Sequence, residues 1–170
     1  MPYTVNYVPQ NGGVGVQGIS VNSSTQQHPL GYRVHATDIG SAAYGNGEFI
    51  YLKGLANTAI GSVVTYNADD FTTALLAANA IGPVAVAMSA CVANEFGWYQ
   101  IYGKGVGKVL ALFADNANCY ATATAGSIDD AVVAGDLVKN MKGASAIDTP
   151  ATGLAEIEMQ YPFMDDGLTA

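Results

Sequence analysis

Leu154-Ala155-Glu156-Ile157-Glu158-Met159-Gln160-Tyr161 alternates without a break. Ala155, Ile157, Met159 and Tyr161 fall on one side of an extended chain, and Glu156, Glu158 and Gln160 on the other. A period of two belongs to a strand with one face on a core and the other in water. Working back from it, Val84, Val86 and Met88 alternate with Ala85 and Ala87 over 84–92. Both faces are apolar there, which predicts a central strand. Further strands are predicted over 48–53, 62–66, 97–102, 106–113 and 120–125, each bounded by Gly, Asn or Asp turns. Helical signals are short. Asp70 is placed to cap a helix through Ala78, and Ser127 with Asp130 imitates a capping pair before Ala131-Val132-Val133-Ala134. The expected class is therefore mainly β, a small β-sandwich or β-barrel with at most short helices.

Composition points the same way. The 170 residues are 50% hydrophobic and only 12% charged, with 20 glycines. A disordered chain would be poorer in apolar residues, and a helical bundle would carry more Glu and Lys. Six basic residues against 14 acidic give a net charge of −8. Nucleic acid binding needs clustered Lys and Arg to displace phosphate counterions, so no nucleic-acid partner is expected. No apolar run reaches the roughly 20 residues that span a bilayer, and Met1-Pro2-Tyr3-Thr4-Val5-Asn6-Tyr7 lacks a basic start followed by an apolar stretch. Neither a membrane partner nor a secretory signal is expected. Cys91 and Cys119 could form one bridge, but they sit among small apolar residues, as buried free cysteines do.

Residues 1–30 differ from the rest, being rich in Asn, Gln, Gly and Ser. Tyr3, Val5 and Tyr7 alternate, as do Val14 and Val16, with Asn11-Gly12 between them as a hairpin signal. The segment is too polar for a core of its own. It is expected to be an extended arm, with residues 31–170 forming one β-rich domain.

Reactive constellations are scarce. His28 and His35 are the only imidazoles, and no Gly-x-Ser-x-Gly elbow is present. His35 and Asp38 have a spacing some metal sites use, but nothing nearby completes a ligand set. Residues 102–108, Tyr-Gly-Lys-Gly-Val-Gly-Lys, fail as a phosphate loop at both ends and are predicted to form a turn. The pairs Asp69-Asp70, Asp129-Asp130 and Asp165-Asp166 fit Asx-turns and caps. No catalytic residue, cofactor or metal is expected.

One series of strings carries more than composition. Gly47-Glu48-Phe49-Ile50-Tyr51-Leu52-Lys53 is followed by Ile60-Gly61-Ser62-Val63-Val64 and by Gly82-Pro83-Val84-Ala85-Val86-Ala87. Then come Glu95-Phe96-Gly97-Trp98-Tyr99-Gln100-Ile101-Tyr102-Gly103 and Ala121-Thr122-Ala123-Thr124-Ala125-Gly126-Ser127-Ile128-Asp129-Asp130. This order resembles a family of capsid decoration, cement and head-fibre proteins of tailed bacteriophages, over about residues 30–135. The resemblance implies a non-enzymatic component of the virion's outer surface, assembled in the host cytoplasm. Its partners would be the major capsid protein and further copies of itself in a homotrimer. Under that reading the arm, through Tyr3, Val5, Tyr7, Val14 and Val16, adds to a neighbour's sheet edge. Trp98, Tyr99, Tyr102, Thr122 and Thr124 then belong to the core or the trimer interface. An adsorption module would instead expose Trp98, Tyr99 or Tyr102 as a platform for host glycans.

Overall fold

The computed structural model of the chain describes residues 6–9, 17–40 and 44–165. These hold eleven strands and no helix. They are β1 (Tyr7–Pro9), β2 (Arg33–Asp38), β3 (Asn46–Lys53), β4 (Val63–Tyr66), β5 (Thr73–Leu75) and β6 (Gly82–Ala87), then β7 (Phe96–Lys108), β8 (Asn118–Ala121), β9 (Ile128–Asp129), β10 (Leu137–Gly143) and β11 (Leu154–Met164). The fold is mainly β, as the alternation predicts. All strands belong to one open antiparallel sheet in the order β1-β2-β3-β7-β6-β11-β10-β8-β9, with β4 on β6 and β5 on β4.

The sheet curls until distant parts touch. Gly126, between β8 and β9, donates its N–H to the Leu76 carbonyl and accepts from the Val63 N–H. Inside this curl lies the largest apolar cluster, with Val63, Val84, Val86, Phe113, Cys119, Ile128, Val138, Ile157 and Met159. Ala85 and Ala87 on the other face of β6 pack into a second cluster with Ile50, Leu52, Val64, Tyr99 and Ile101. β6 is thus covered on both faces, which is why it reads as continuously apolar.

β7 joins the two halves. Its first part pairs with β3, from Phe96 opposite Lys53 to Tyr102 opposite Glu48, with a bulge before Tyr102. Its second part, Tyr102 to Lys108, pairs with β11. The expected turn over 102–108 is therefore a strand. Glycine does not break it because the neighbours crowd in: a Cβ on Gly105 would meet the buried Gln100 Oε1 at 2.1 Å. The Gln100 amide holds the bend by donating to the Tyr102 and Lys104 carbonyls.

Both expected helices are replaced by strand and turn. The Asp70 carboxylate accepts from the Thr72 N–H and hydroxyl, a local closure that competes with helix formation. Phe71 then takes φ 58°, outside the helical region. Residues 73–75 are free to pair with β4. Ile128 is fully buried, and its carbonyl accepts from the Leu110 N–H, so the Ser127–Asp130 region is drawn into β9.

The described part of the N-terminal segment does not leave the domain. β1 pairs with β2, Tyr7 opposite Asp38, and the Tyr7 ring packs edge-on against Phe49 at 4.6 Å. Gln17 donates to the Phe96 and Val21 carbonyls, while its own carbonyl accepts from the Trp98 indole N–H. Ile19 enters a third cluster with Val34, Phe49, Tyr51 and Trp98. Residues 6–9 and 17–30 of the expected arm therefore pack on the domain, through a few apolar anchors and a backbone-pairing glutamine that the polar composition concealed. Tyr3, Val5, Val14 and Val16 lie outside the described residues.

Cys91 and Cys119 are free and buried in different clusters. Burial pushes the Cys91 thiol up to about 11 from an ordinary value of 9.0. Burial, aided by the Asp130 charge, pushes Cys119 up to about 12. Above pH 9 an unfolded chain would lose thiol protons that the folded chain keeps. The stability tied to these protons is whole below that pH and is lost as pH rises through the two folded values, at about 1.4 kcal/mol per thiol per unit. The urea midpoint should therefore fall steeply between about pH 9 and about pH 11, and native thiols should resist alkylation at neutral pH. A flat alkaline profile would contradict the burial of both groups.

Candidate functional site

Register places four residues in a row across the sheet. His35 of β2 faces Glu48 of β3, Glu48 faces Tyr102 of β7, and Tyr102 faces Gln160 of β11. Along β3, Glu48 shares a face with Ile50 and Leu52, so it points with them toward the second apolar cluster. It sits where that cluster meets solvent.

The Glu48 side chain is only 6% exposed, yet it carries charge among apolar neighbours. Its partners explain how. Arg33 Nη1 lies 3.5 Å from Oε1, and His35 Nε2 lies 3.3 Å from Oε2. The Tyr161 hydroxyl donates to Oε2 at 2.6 Å. A buried carboxylate is tolerable only when paired and hydrogen-bonded in this way. Donation to Glu48 holds the Tyr161 phenol above its ordinary value of 10.0, with partial burial and the Glu48 charge acting in the same direction. Deeper in, burial raises the Tyr66 phenol, partly offset by the nearby Arg33.

Tyr161 occupies an unusual backbone position, with φ 53°. At this point β11 leaves β7, last paired at Gln160, and joins β6 at Phe163. A bulky residue in the left-handed region costs of order 1–3 kcal/mol. The same kink turns Tyr161 out of the core, where the alternation of 154–161 had placed it. Its ring lies 5.4 Å from that of Tyr102, tilted by 35°. Tyr161 and Tyr102 are 49% and 42% exposed as residues. Beside them Lys104 pairs with Glu156 at 2.6 Å. The arrangement offers two exposed aromatic faces bordered by a fixed charge network.

Exchanging Glu48 for Gln should bring the Tyr161 phenol back down toward 10.0, because the charge that holds its proton is removed. Ultraviolet titration of Glu48→Gln against the parent, with Tyr161→Phe to identify the signal, checks this. An unchanged Tyr161 titration would mean the contact is absent in solution.

The remaining expected site residues fall elsewhere. Trp98 and Tyr99 are fully buried, so they belong to the core and offer no platform. Tyr102 alone of that group reaches the surface. Thr122 and Thr124 follow β8 in a turn, where the Thr122 hydroxyl accepts from the Thr124 N–H. His35 and Asp38 diverge: Asp38 accepts from the backbone N–H groups of Asn6, Gly40 and Tyr44. Among the described residues no three His, Cys, Asp or Glu side chains are grouped to hold a metal. Asp69 and Asp70 lie in a turn, Asp130 accepts from the Ala114 N–H, and Asp165 pairs with Lys139.

Sequence reasoning missed Arg33, Glu48 and Tyr161. One signal for Glu48 was present: a carboxylate in phase with Ile50 and Leu52 points a charge inward. Nothing in the sequence marks the kink that frees Tyr161.

Fold and site together define a small all-β protein with a buried carboxylate under an exposed tyrosine pair. No protein-family model, curated protein or solved structure matches the chain.

Proposed function

We propose that the protein is a structural virion component, a decoration protein that docks as a homotrimer on the major capsid protein of a tailed bacteriophage. What supports this reading is where the strings that carry the resemblance lie. They fall on β3, β4, β6 and β7, which are hydrogen-bonded neighbours in the sheet, and around β8 and β9. The likeness therefore runs through contiguous framework rather than scattered loops.

A cement protein acts by burying apolar area across subunit seams, at roughly 25 cal/mol per Å². Two loops suit that task. Leu112 is 89% exposed and Val132 79% exposed. Their loops are tied together by the Leu110 N–H to the Ile128 carbonyl and by the Ala114 N–H to Asp130. Exposed apolar side chains on a braced pair of loops make a contact point without unfolding anything. An acidic protein also stays soluble before it docks.

The test is co-sedimentation with capsids of the phage that encodes the chain, with imaging of shells with and without it. Wild-type protein should pellet with capsids, and Leu112→Asp combined with Val132→Asp should weaken binding at least tenfold while leaving the thermal midpoint near wild type. Light scattering should give three copies per particle, free or after release. A chain that never pellets with its capsids would overturn the reading.

A further inference from the structure

Among the described residues the exposed tyrosines are Tyr32, Tyr102 and Tyr161. The Tyr32 ring lies against His28 and Trp98. Tyr102 and Tyr161 lie against each other, with ring centres 5.4 Å apart and a tilt of 35°. Their strands run side by side, Gln160 being the last partner on β7 before β11 turns away. The φ of 53° at Tyr161 keeps its ring beside Tyr102, in a backbone region that Gly or Asn enters far more easily. Its hydroxyl donates to Glu48 Oε2 at 2.6 Å, so an oxygen able to take the phenol proton is already in place. Two phenols that touch, face solvent and have a carboxylate on one hydroxyl are arranged for oxidative coupling.

We infer that Tyr102 and Tyr161 form a modification site, at which a peroxidase using hydrogen peroxide joins them as an intramolecular dityrosine. Each phenol gives up one electron and its hydroxyl proton. Tyr161 passes that proton to Glu48 Oε2, along the hydrogen bond already made, and Tyr102 passes its own to water. Arg33 and His35, paired with Glu48 from the other side, hold the carboxylate in place for this. The two phenoxyl radicals combine through a carbon ortho to each hydroxyl, forming one C–C bond. The hydrogens on those carbons then leave as protons while both oxygens regain one, which restores two aromatic phenols. The net loss is two electrons and two protons, and these reduce one hydrogen peroxide to two waters. The new bond ties β7 to β11 beside the kink. Like a disulfide between distant residues, it restricts the unfolded chain. The inference does not depend on the capsid reading, since it concerns the pairing of β7 with β11 and not the Leu112 and Val132 loops.

The experiment treats the full chain, dilute and at neutral pH, with stoichiometric hydrogen peroxide and a catalytic amount of peroxidase. The single-chain species should acquire the blue fluorescence of dityrosine. After trypsin, residues 54–104 and 143–170 should be recovered as one joined peptide lighter by two hydrogens than its parts. Tyr161 is the only tyrosine in the second segment, and fragmentation should place the other end of the link at Tyr102. Tyr102→Phe and Tyr161→Phe should each lower the single-chain fluorescence at least tenfold, whereas Tyr32→Phe should leave it unchanged. Glu48→Gln should slow coupling at least threefold, and added phosphate, an external base, should restore part of the rate, as a purely structural role would not allow. The cross-linked parent should unfold at a higher urea concentration than the untreated chain. Peptide mapping needs no variant, so a substitution that fails to fold does not block the test. Coupling confined to dimers and larger species would overturn the inference. So would a link mapped to Tyr32, or Glu48→Gln coupling at the parent rate.

Discussion

A chain truncated to residues 31–170 is expected to lose most of its stability and to show red-shifted tryptophan emission. The first 30 residues read as an extended arm, yet Tyr7 and Ile19 among them belong to the third apolar cluster. Truncation removes Ile19, which is 2% exposed, and uncovers Trp98 and Tyr51, which are fully buried. The side chain of Ile19 alone contributes about 1.5–3 kcal/mol by burial. Polar losses add to that. The Trp98 indole N–H loses the Gln17 carbonyl, the Tyr51 hydroxyl loses Gln17 Oε1 at 2.6 Å, and the Phe96 N–H and carbonyl lose Ser23. Each orphaned group costs about 1–3 kcal/mol if it stays buried. The sum is comparable with the 5–15 kcal/mol that holds a typical domain together. Ile19→Ala serves as the milder version, at about 2–5 kcal/mol. Urea unfolding monitored by Trp98 fluorescence reads both. A truncated chain with the parent midpoint would restore the extended arm.

Gly103→Ala is expected to be the most damaging single methyl group near the candidate site. Gly103 has φ 98°, and a Cβ there would lie 2.5 Å from the Asn46 carbonyl oxygen. That oxygen belongs to β3 backbone and cannot swing aside as a side-chain tip can. The clash falls where β7 passes from β3 to β11, so relief requires parting β3 from β7 beside Glu48 and Tyr102. A cost of at least 3 kcal/mol follows from a left-handed penalty added to a backbone displacement. Gly153→Ala is the control, since Gly153 has φ 73° but nothing within 4 Å of a built Cβ. It should cost only about 1 kcal/mol. Thermal unfolding of the two variants separates the terms. Equal midpoints would mean that the Asn46 contact relaxes freely.

The strand-forming character of the chain was legible residue by residue. Ala155, Ile157 and Met159 alternate and are buried; Val84 to Ala87 are apolar throughout and are covered on both faces. Alternation is a local property, because successive side chains of an extended backbone must point to opposite faces. Turn chemistry was partly legible too, as at Asp70, though its carboxylate closes a turn where a helix cap was expected. What only the tertiary structure decided is which strands meet and where they bend. Residues 102–108 read as a turn because glycine is permissive, but here glycine admits the neighbouring Gln100 and β11. Residues 17–30 read as polar, but Gln17 and Ile19 find partners 79 and more residues away in Phe96 and Trp98. Glu48, Tyr102 and Tyr161 come together through pairings that span 113 residues of chain. Local periodicity sets strand or turn within a few residues, whereas contacts between distant strands depend on the order in which the sheet is threaded. The sequence alone determined a β chain poor in reactive groups; the threading decided where the buried carboxylate of Glu48 and the exposed Tyr102 and Tyr161 would stand.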